Sequence, residues 1–318
     1  MNTVFGTGKL PRELRWPIVT IGFFDGVHLG HQKVIGRAIR WAKEKGGESV
    51  VITFDRHPKS FLTNRPHSSI TSLEHRLVLL ERMGIDLAVV LEFDHKLAEM
   101  STEDFVRQII SGWLASKGMV LGFDCSFGKG RRGDTHFIRK LGEKYGFDVR
   151  SCLPVKIDGE IVSSTLIRQK IISGDLIGAE KMLGRPVSVL GTVVRCVGRG
   201  SNLGYPTANL DLHHEVKPPD GVYASKVKLN NIEYYALTNI GNRPTFEGQQ
   251  ETAESDGSCI EVHILDFNDE IYGEVLEVQF LSRLRDEKKF ESAEALKAQI
   301  KNDTTELSKI MSKKALTN

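Results

Sequence analysis

Short apolar runs alternate with helix-like segments through the first half of the 318-residue chain, and this alternation limits the fold more than any other feature. Five runs predict buried strands, over residues 17–22, 49–54, 87–93, 119–122 and 149–154. Helical patterns are present at 32–45 and 137–145. Two further helices each begin with a capping box, one running from 71–74 to Gly84 and the other from 101–104 toward Ser116. This order predicts a parallel sheet with helices on both faces.

The pattern changes near the sequence LGRP at 183–186. Beyond it, short β-branched segments over 188–196, 221–229, 233–239, 258–266 and 274–280 are separated by Gly, Pro and Asn, which predicts a small antiparallel barrel. A terminal helix follows, and its apolar stripe is expected to pack on the barrel. The stripe consists of Phe290, Ala293, Leu296, Ile300, Leu307 and Ile310. We therefore predict two domains, over residues 1–184 and 185–318.

Composition excludes several classes of protein. Forty-three basic and forty-one acidic side chains nearly cancel, which argues against a large nucleic-acid surface. No run approaches the roughly 18 apolar residues of a membrane helix, and the N-terminus has no apolar core typical of a signal peptide. Four scattered cysteines are interpreted as reduced thiols. A cytoplasmic enzyme is expected, and its oligomeric state stays open.

The strongest motif is GFFDGVHLGH at 22–31, which joins the first predicted strand to the first helix. Ligands collect at the carboxyl ends of parallel strands, and a helix N-terminus there favours phosphate. The glycines Gly26 and Gly30 let the backbone approach a ligand. His28 and His31 share one face of the first helical turn, so both can donate to a triphosphate. The motif predicts nucleotidyl transfer, the alternatives being a metal-binding pair or two structural histidines.

The run SSTLIR at 163–168 precedes a further helix and supplies a second phosphate element. Hydroxyl and N–H groups of Ser163, Ser164 and Thr165 can bind phosphate oxygens, and Arg168 can neutralise them. Alone, this run is an ordinary helix start with an exposed arginine. Together with the histidine motif it predicts an ATP site, to which we also assign Gly22, Phe23, Asp25, Gly26 and Gly30.

The second half carries its own constellation in GRGSNLGYPTAN at 198–209. The loop residues Gly198, Gly200 and Ser201 can present N–H groups to phosphates. Thr207 and Asn209 alternate, so on a strand they point to one side, and their oxygens suit Mg²⁺ that carries a nucleotide. A plain glycine-rich hairpin is the alternative.

A carboxylate stands on the strand-like sequence IEVHI, at Glu261. If it faces a cleft rather than water, it can accept a proton from an alcohol during phosphoryl transfer. The segment 239–246, which contains Asn239 and Arg243, is expected to line the same cleft, and the polar segment 249–257 is expected to form a mobile hairpin loop.

In their shared order, these runs resemble the bacterial bifunctional riboflavin kinase/FAD synthetases over almost the whole chain. The resemblance is carried by FFDGVHLGH, VSSTLIR, LGRPVSVLGTVV, LGYPTANL, GVYA, TNIGNRPTF and EVHILDF. It implies a Rossmann-like nucleotidyltransferase domain that adenylylates FMN and a β-barrel riboflavin kinase domain. Riboflavin, FMN and ATP would be the substrates, with Mg²⁺ as cofactor.

The resemblance also implies roles for single residues. His28, His31 and Arg168 would act on ATP in the first domain, and Glu261 would be the catalytic base of the kinase. Thr207 and Asn209 would hold Mg²⁺. The flavin-binding residues would be Asp124, Phe127, Asn239 and Arg243.

The chain departs from the family pattern at several positions. Cys125 and Ser126 stand where Phe-Arg is usual, and Tyr205, Val187 and Cys196 replace the usual Phe, aromatic and Gly. Two alternatives to a bifunctional enzyme follow. One is a riboflavin kinase whose adenylyltransferase site has decayed, and the other is a flavin-binding regulatory protein without catalysis.

Overall fold

The computed structural model describes residues 1–63, 68–195, 205–212, 215–230, 232–242 and 258–315. The chain divides into two compact units, one of residues 1–167 with 182–184 and the other of residues 168–181 with 185–318. The domain boundary after Gly184 stays a prediction. In the structure, residues 168–181 group with the second unit, although they precede that boundary. The predictions for Cys196, Gly198, Gly200, Ser201, Arg243 and the loop 249–257 lie outside the described residues.

The first unit is built on a six-stranded parallel sheet in the order β1-β4-β3-β2-β5-β6. Its strands are β1 (Asn2–Phe5), β2 (Ile18–Ile21), β3 (Ser49–Phe54), β4 (Leu87–Leu91), β5 (Gly118–Leu121) and β6 (Asp148–Ser151). The five predicted strands are present, and β1 is added at the edge beside β4. None of the residues of β1 is buried, so this strand shows no hydrophobic pattern in the sequence. The sheet therefore confirms the predicted parallel α/β architecture.

Helices cover both faces of this sheet because alternate strand residues are apolar on both sides. Val50 and Ile52 pack on one face with Phe105 and Ile109, whereas Val51 packs on the other. The helices are α1 (Leu29–Glu44), α2 (Pro58–Thr63), α3 (Leu73–Arg82), α4 (His95–Glu99), α5 (Thr102–Phe105) and α6 (Thr135–Tyr145). The helix predicted from residue 101 begins as α5 and continues as a π-helical segment, Val106–Trp113.

A small hairpin and two helices connect the sheet to the second half of the chain. The hairpin consists of β7 (Lys156–Ile157) and β8 (Glu160–Ile161), and the helices are α7 (Ser164–Ser173) and α8 (Leu176–Leu183). Ser163 caps α7, since its Oγ accepts from the N–H of Leu166 at 3.3 Å. The predicted helix is present, but it begins at Ser164, inside the SSTLIR run and not after it.

The second unit contains a closed antiparallel barrel in the order β10-β13-β12-β11-β14-β9. Its strands are β9 (Val187–Val194), β10 (Ala208–Leu212), β11 (Gly221–Leu229), β12 (Ile232–Asn242), β13 (Ser258–Ile264) and β14 (Val275–Arg285). Along β13, Ile260, Val262 and Ile264 are buried, while Glu261 and His263 between them are half-buried. The first set therefore fills the barrel and the second lies on its outer face.

Helix α9 (Ala293–Ala315) packs on the outside of the barrel through part of the predicted stripe, because Phe290 precedes the helix and Ala293 is exposed. Ile300, Leu307 and Ile310 join one cluster with Ala224 and Leu237 of the barrel wall. In the described part of the chain, no helix is both long and apolar enough to cross a membrane.

Candidate active sites

The turn after β2 is forced into an unusual backbone shape. Phe24 and Val27 have φ of 56° and 39°, and Gly26 between them has φ of +75°. A Cβ on Gly26 would also lie 3.1 Å from the side chain of Ile70. Residues with positive φ are uncommon outside glycine, so the surrounding structure must hold this turn in place.

Asp25 holds the turn against the segment before α3. Its Oδ1 accepts from the backbone N–H groups of Ile70 (2.8 Å) and Thr71 (3.1 Å), and only 3% of the residue is exposed. Thr71 returns a contact, since its Oγ1 accepts from the N–H of Gly26 at 2.9 Å. The carboxylate of Asp25 thus works as a structural tie, and its assignment to nucleotide binding stays a prediction.

His28 and His31 lie together at the start of α1. Their rings stack with centroids 3.5 Å apart, and Nδ1 of His28 caps the helix by accepting the N–H of His31 at 3.3 Å. Because Nδ1 accepts this bond, Nε2 is the ring nitrogen of His28 that can donate to a ligand. Gly30 is required for this arrangement, since a Cβ there would lie 3.0 Å from Cε1 of His28.

His31 is kept neutral by its surroundings. Burial lowers its pKa well below the ordinary 6.5, and the nearby charges of His28 and Arg76 lower it further. Its Nδ1 is buried and has no hydrogen-bond partner among the described atoms. Two imidazoles at a helix N-terminus can donate to phosphate oxygens, and the neutral ring of His31 does so without a full charge.

Arg76 of α3 is a buried cation that sequence reasoning missed. Its guanidinium donates to the carbonyls of Phe23 (2.7 Å) and Phe54 (2.8 Å) and lies 4.1 Å from the centre of the Phe23 ring. It is 1% exposed, and burial lowers its pKa to about 10. Arg76 therefore joins the carboxyl ends of β2 and β3. The available signal was its position three and four residues before Leu79 and Leu80, on the apolar side of α3.

Gly22 and Phe23, both assigned to the nucleotide site, complete the end of β2. The N–H of Gly22 donates to the carbonyl of Ile52 at 3.1 Å, which extends the pairing with β3 by one residue. The Phe23 carbonyl also accepts from Oγ1 of Thr53 at 3.1 Å. Their positions at the carboxyl edge of the sheet agree with the expected place of a ligand.

The SSTLIR run reaches the same turn through one hydroxyl. Oγ of Ser164 donates to the carbonyl of Asp25 at 3.0 Å, while Ser163 caps α7 and Thr165 is exposed. The structure therefore brings Ser163 and Ser164 to the histidine turn. Arg168 lies one turn further along α7, is half-buried and belongs to the second unit. Its action on the same nucleotide stays a prediction.

The segment after β5 holds the two altered residues, Cys125 and Ser126. Cys125 packs against the core, and burial raises the pKa of its thiol to about 12, with the charge of Asp124 adding to the shift. Ser126 accepts from Nε of Arg131 at 2.8 Å. Arg131, five residues beyond the position where the family usually has an arginine, thus contacts this segment.

The two flavin assignments in this segment differ in environment. Asp124 is exposed, whereas the ring of Phe127 packs 5.2 Å from the ring of Phe105. The carbonyl of Phe127 also accepts from Thr102 Oγ1 at 3.0 Å. Phe127 therefore anchors the segment to α5, and its contact with a flavin stays a prediction.

In the second unit, strand register places three predicted site residues in one row. Glu261 of β13 lies opposite Asn209 of β10 on one side and opposite Asn239 of β12 on the other. Side chains of directly opposed residues share a face, with Cβ atoms about 5 Å apart. The row therefore lies on the outer face of the barrel, where Asn209 is buried and the other two are half-buried.

Further polar groups on the same unit surround this row. His263 lies two residues beyond Glu261 on the same face, and its Nδ1 is 2.8 Å from the carbonyl of Pro206, to which its N–H can donate. The ring of Tyr205 packs edge-to-face on His263 at 5.3 Å. These contacts hold the residues that lead directly into Thr207, which is half-buried. Sequence reasoning did not select His263, although its spacing from Glu261 was the available signal.

Two family models match the chain, one for each half. The model described as FAD synthetase matches residues 11–166, and the model described as riboflavin kinase matches residues 183–311. The first contains the histidine turn and the second contains the barrel row.

Known proteins match over nearly the full length. The chain is 34% identical to the bifunctional riboflavin kinase/FMN adenylyltransferase of Haemophilus influenzae, over 95% of this chain and 97% of that protein. Identity to the protein of the same name from Pseudomonas fluorescens is 36%, over 95% and 96%. A crystal structure described as a macrolide-efflux protein from Streptococcus pneumoniae is 32% identical, covers 96% of this chain and 98% of its own, and superposes with a TM-score of 0.79. With both halves matched in order and relatives of this identity over the whole length, the chain belongs to the bifunctional riboflavin kinase/FMN adenylyltransferase family.

Proposed function

We propose that this chain is a cytoplasmic enzyme that phosphorylates riboflavin in its second unit and adenylylates FMN in its first. The observation that carries the proposal is the row of Asn209, Glu261 and Asn239, which strand register alone creates from three separate strands. The stacked His28 and His31 support the adenylyltransferase half.

In the kinase reaction, Glu261 accepts the proton of the ribityl 5′-hydroxyl. The oxygen then attacks the γ-phosphorus of ATP, a new O–P bond forms, and the bond to the β-phosphate oxygen breaks to give FMN and ADP. Asn239, directly opposite Glu261, is placed to hydrogen-bond the ribityl chain beside that base. The half-exposed carboxylate of Glu261 can exchange its proton with solvent after each turnover.

The donor set beside Glu261 suits Mg²⁺. Thr207 supplies a hydroxyl, Asn209 an amide oxygen and Glu261 a carboxylate, all hard oxygen ligands of the kind that this ion prefers. We assign Thr207 and Asn209 to the ion and keep Glu261 as the base. When bound, Mg²⁺ would neutralise charge on the ATP phosphates.

In the adenylyltransferase reaction, a phosphate oxygen of FMN attacks the α-phosphorus of a second ATP, and pyrophosphate leaves. No protein nucleophile is needed, because FMN already carries an anionic oxygen. Nε2–H of His28 and the neutral ring of His31 are placed to donate to phosphate oxygens while charge develops on them. Ser163, Ser164, Thr165 and Arg168 are assigned to the departing phosphates.

One incubation tests the proposal against both alternatives. Purified protein with riboflavin, ATP and Mg²⁺ is expected to produce FMN and then FAD, separated by chromatography. FMN without FAD would leave a single-activity kinase, and neither product would leave a flavin-binding protein.

A single substitution tests the assignment of roles. Glu261→Gln is expected to abolish FMN formation while FAD formation from supplied FMN survives, because the base lies in the second unit only. Glu270→Gln, at an exposed position of the same unit, is the matched control and should retain both activities. Loss of both activities in Glu261→Gln would contradict independent sites.

A further inference from the structure

A basic groove runs along the side of the first unit, between α1 and the edge strand β6. It has a volume of 290 Å³. The groove is lined by Lys33, Arg37, Arg40, Trp41, Glu44, Arg150 and Cys152. Four of these seven side chains are cationic and one is anionic, which leaves three positive charges in excess within one small concavity.

Two of these cations donate to backbone carbonyls, which carry no full charge. Lys33 Nζ donates to the carbonyl of Leu153 at 3.0 Å, and Arg37 Nη1 donates to the carbonyl of Ser151 at 2.6 Å. Across the described residues, none of the four cations forms an ion pair with a carboxylate. Like charges held close together repel one another, and a concave wall focuses their field, so the groove attracts an anion from solution.

The floor of the groove limits what that anion can be. The guanidinium of Arg150 lies 3.9 Å from the centre of the Trp41 ring, and Trp41 is only 2% exposed. An aromatic ring of a ligand therefore finds no free face on which to stack. Nε1 of Trp41 is buried with no hydrogen-bond partner among the described atoms, which makes this indole a sensitive reporter at the base of the groove.

Spacing and size set the number of charges on the ligand. Lys33, Arg37 and Arg40 follow one side of α1 over about 10 Å of helix rise. An anion that spans the row from Lys33 to Arg40 carries at least two charged groups. A nucleic acid is not favoured, since the whole chain has a net charge of only +2.

We propose that the groove binds a small polyphosphate anion at a site separate from the histidine turn. Lys33 is only two residues after His31, but two residues rotate a helix by about 200°, which places them on nearly opposite sides of α1. From Lys33 the groove extends toward Glu44, away from the turn at the start of the helix. The inference rests on the groove alone and not on the proposed activities.

The test is titration of the full-length protein with inorganic tripolyphosphate, followed by NMR of the tryptophan indole N–H signals. The chain has three tryptophans, so Trp16→Phe and Trp113→Phe variants identify the Trp41 signal by elimination. This signal reports the groove even if tripolyphosphate also enters an ATP site. We expect it to shift and saturate, with orthophosphate at least tenfold weaker.

Two pairs of substitutions on α1 make the test specific. Arg37→Gln with Arg40→Gln should raise the tripolyphosphate concentration at half-maximal shift of the Trp41 signal at least tenfold. Arg40→Gln alone is also measured, because a substitution at this exposed position does not disturb folding. Lys43→Gln with Lys45→Gln removes two exposed charges outside the groove and should leave the midpoint unchanged. An unshifted Trp41 signal, equal loss in both pairs, or orthophosphate binding as tightly as tripolyphosphate would each overturn the proposal.

Discussion

Gly30→Ala should damage adenylyl transfer by moving one ring. The new Cβ would lie 3.0 Å from Cε1 and 3.1 Å from Nδ1 of His28. Ordinary contact starts near 3.4 Å, so the ring must move by about 0.4 Å. His28 is 5% exposed and stacks on His31 at 3.5 Å, so the movement displaces both histidines.

The size of the effect follows from that displacement. A misplacement of about 1 Å costs on the order of 10²-fold in rate, so about half of it is expected to cost about tenfold in kcat/KM for FMN adenylylation. Weakening the cap between His28 Nδ1 and the His31 N–H would lower the free energy of unfolding by about 1 kcal/mol. Riboflavin phosphorylation should not change, because its site lies in the other unit.

The assay supplies FMN and ATP, measures FAD by chromatography, and measures FMN formation from riboflavin separately. Gly36→Ala on the same helix is the matched control, since its Cβ would meet only Nη1 of Arg40 at an ordinary 3.5 Å. This control should keep both activities and gain up to about 1 kcal/mol of helix stability. Adenylylation by Gly30→Ala within twofold of the original protein would refute the role given to the His28 ring.

Three further predictions concern stability. Arg76→Lys keeps the charge but cannot reach the carbonyls of both Phe23 and Phe54. Urea unfolding followed by tryptophan fluorescence should therefore show a free energy of unfolding lower by roughly 2 kcal/mol. An unchanged urea midpoint would contradict the role of Arg76 in joining the two strand ends. Because burial lowers the pKa of His31, the unfolded chain binds more protons below pH 6.5, and stability should fall as the pH drops from 6.5 to 5. His31→Gln should weaken that dependence, and an equal slope would exclude His31 as its source. Asp303→Ala leaves the mostly buried Arg285 without its carboxylate. Amide hydrogen exchange in α9 should then be about 100-fold faster, because the free energy of opening the helix falls by about 3 kcal/mol. Unchanged protection would show that the ion pair is not needed.

Local patterns were enough to predict most elements but not every one. Buried apolar runs revealed β2 to β5, because a strand covered on both faces must be apolar throughout. The edge strand β6 was predicted as well, although none of its residues is fully buried. The exposed strand β1 carries no such pattern, and its pairing with β4 depends on residues more than eighty positions away. The predicted barrel likewise required closure of β9 on β10 and β14, which no local window contains.

The candidate sites divide in the same way. The HxGH motif identified His28 and His31 because both lie within one helical turn, where spacing determines which side chains meet. The tie from Asp25 to Thr71 and the bridge from Arg76 to two strand ends could not be seen, since they join segments about fifty residues apart. A buried arginine needs acceptors around it. For Arg76 these are the carbonyls of Phe23 and Phe54, which come together only in the packed sheet.

Sequence by itself determined that two domains of different class follow one another, that the first begins its ligand turn with a histidine pair, and that a carboxylate stands on a late strand. Tertiary structure alone decided that Glu261 lies between Asn209 and Asn239, because register between strands depends on barrel closure. It also decided that Lys33, Arg37 and Arg40 meet Arg150 beside a buried indole. Charges on a helix and on a strand far away in sequence act together only when packing brings them to one surface. Local sequence patterns cannot predict this, because they do not contain the distance between the two elements in the folded chain.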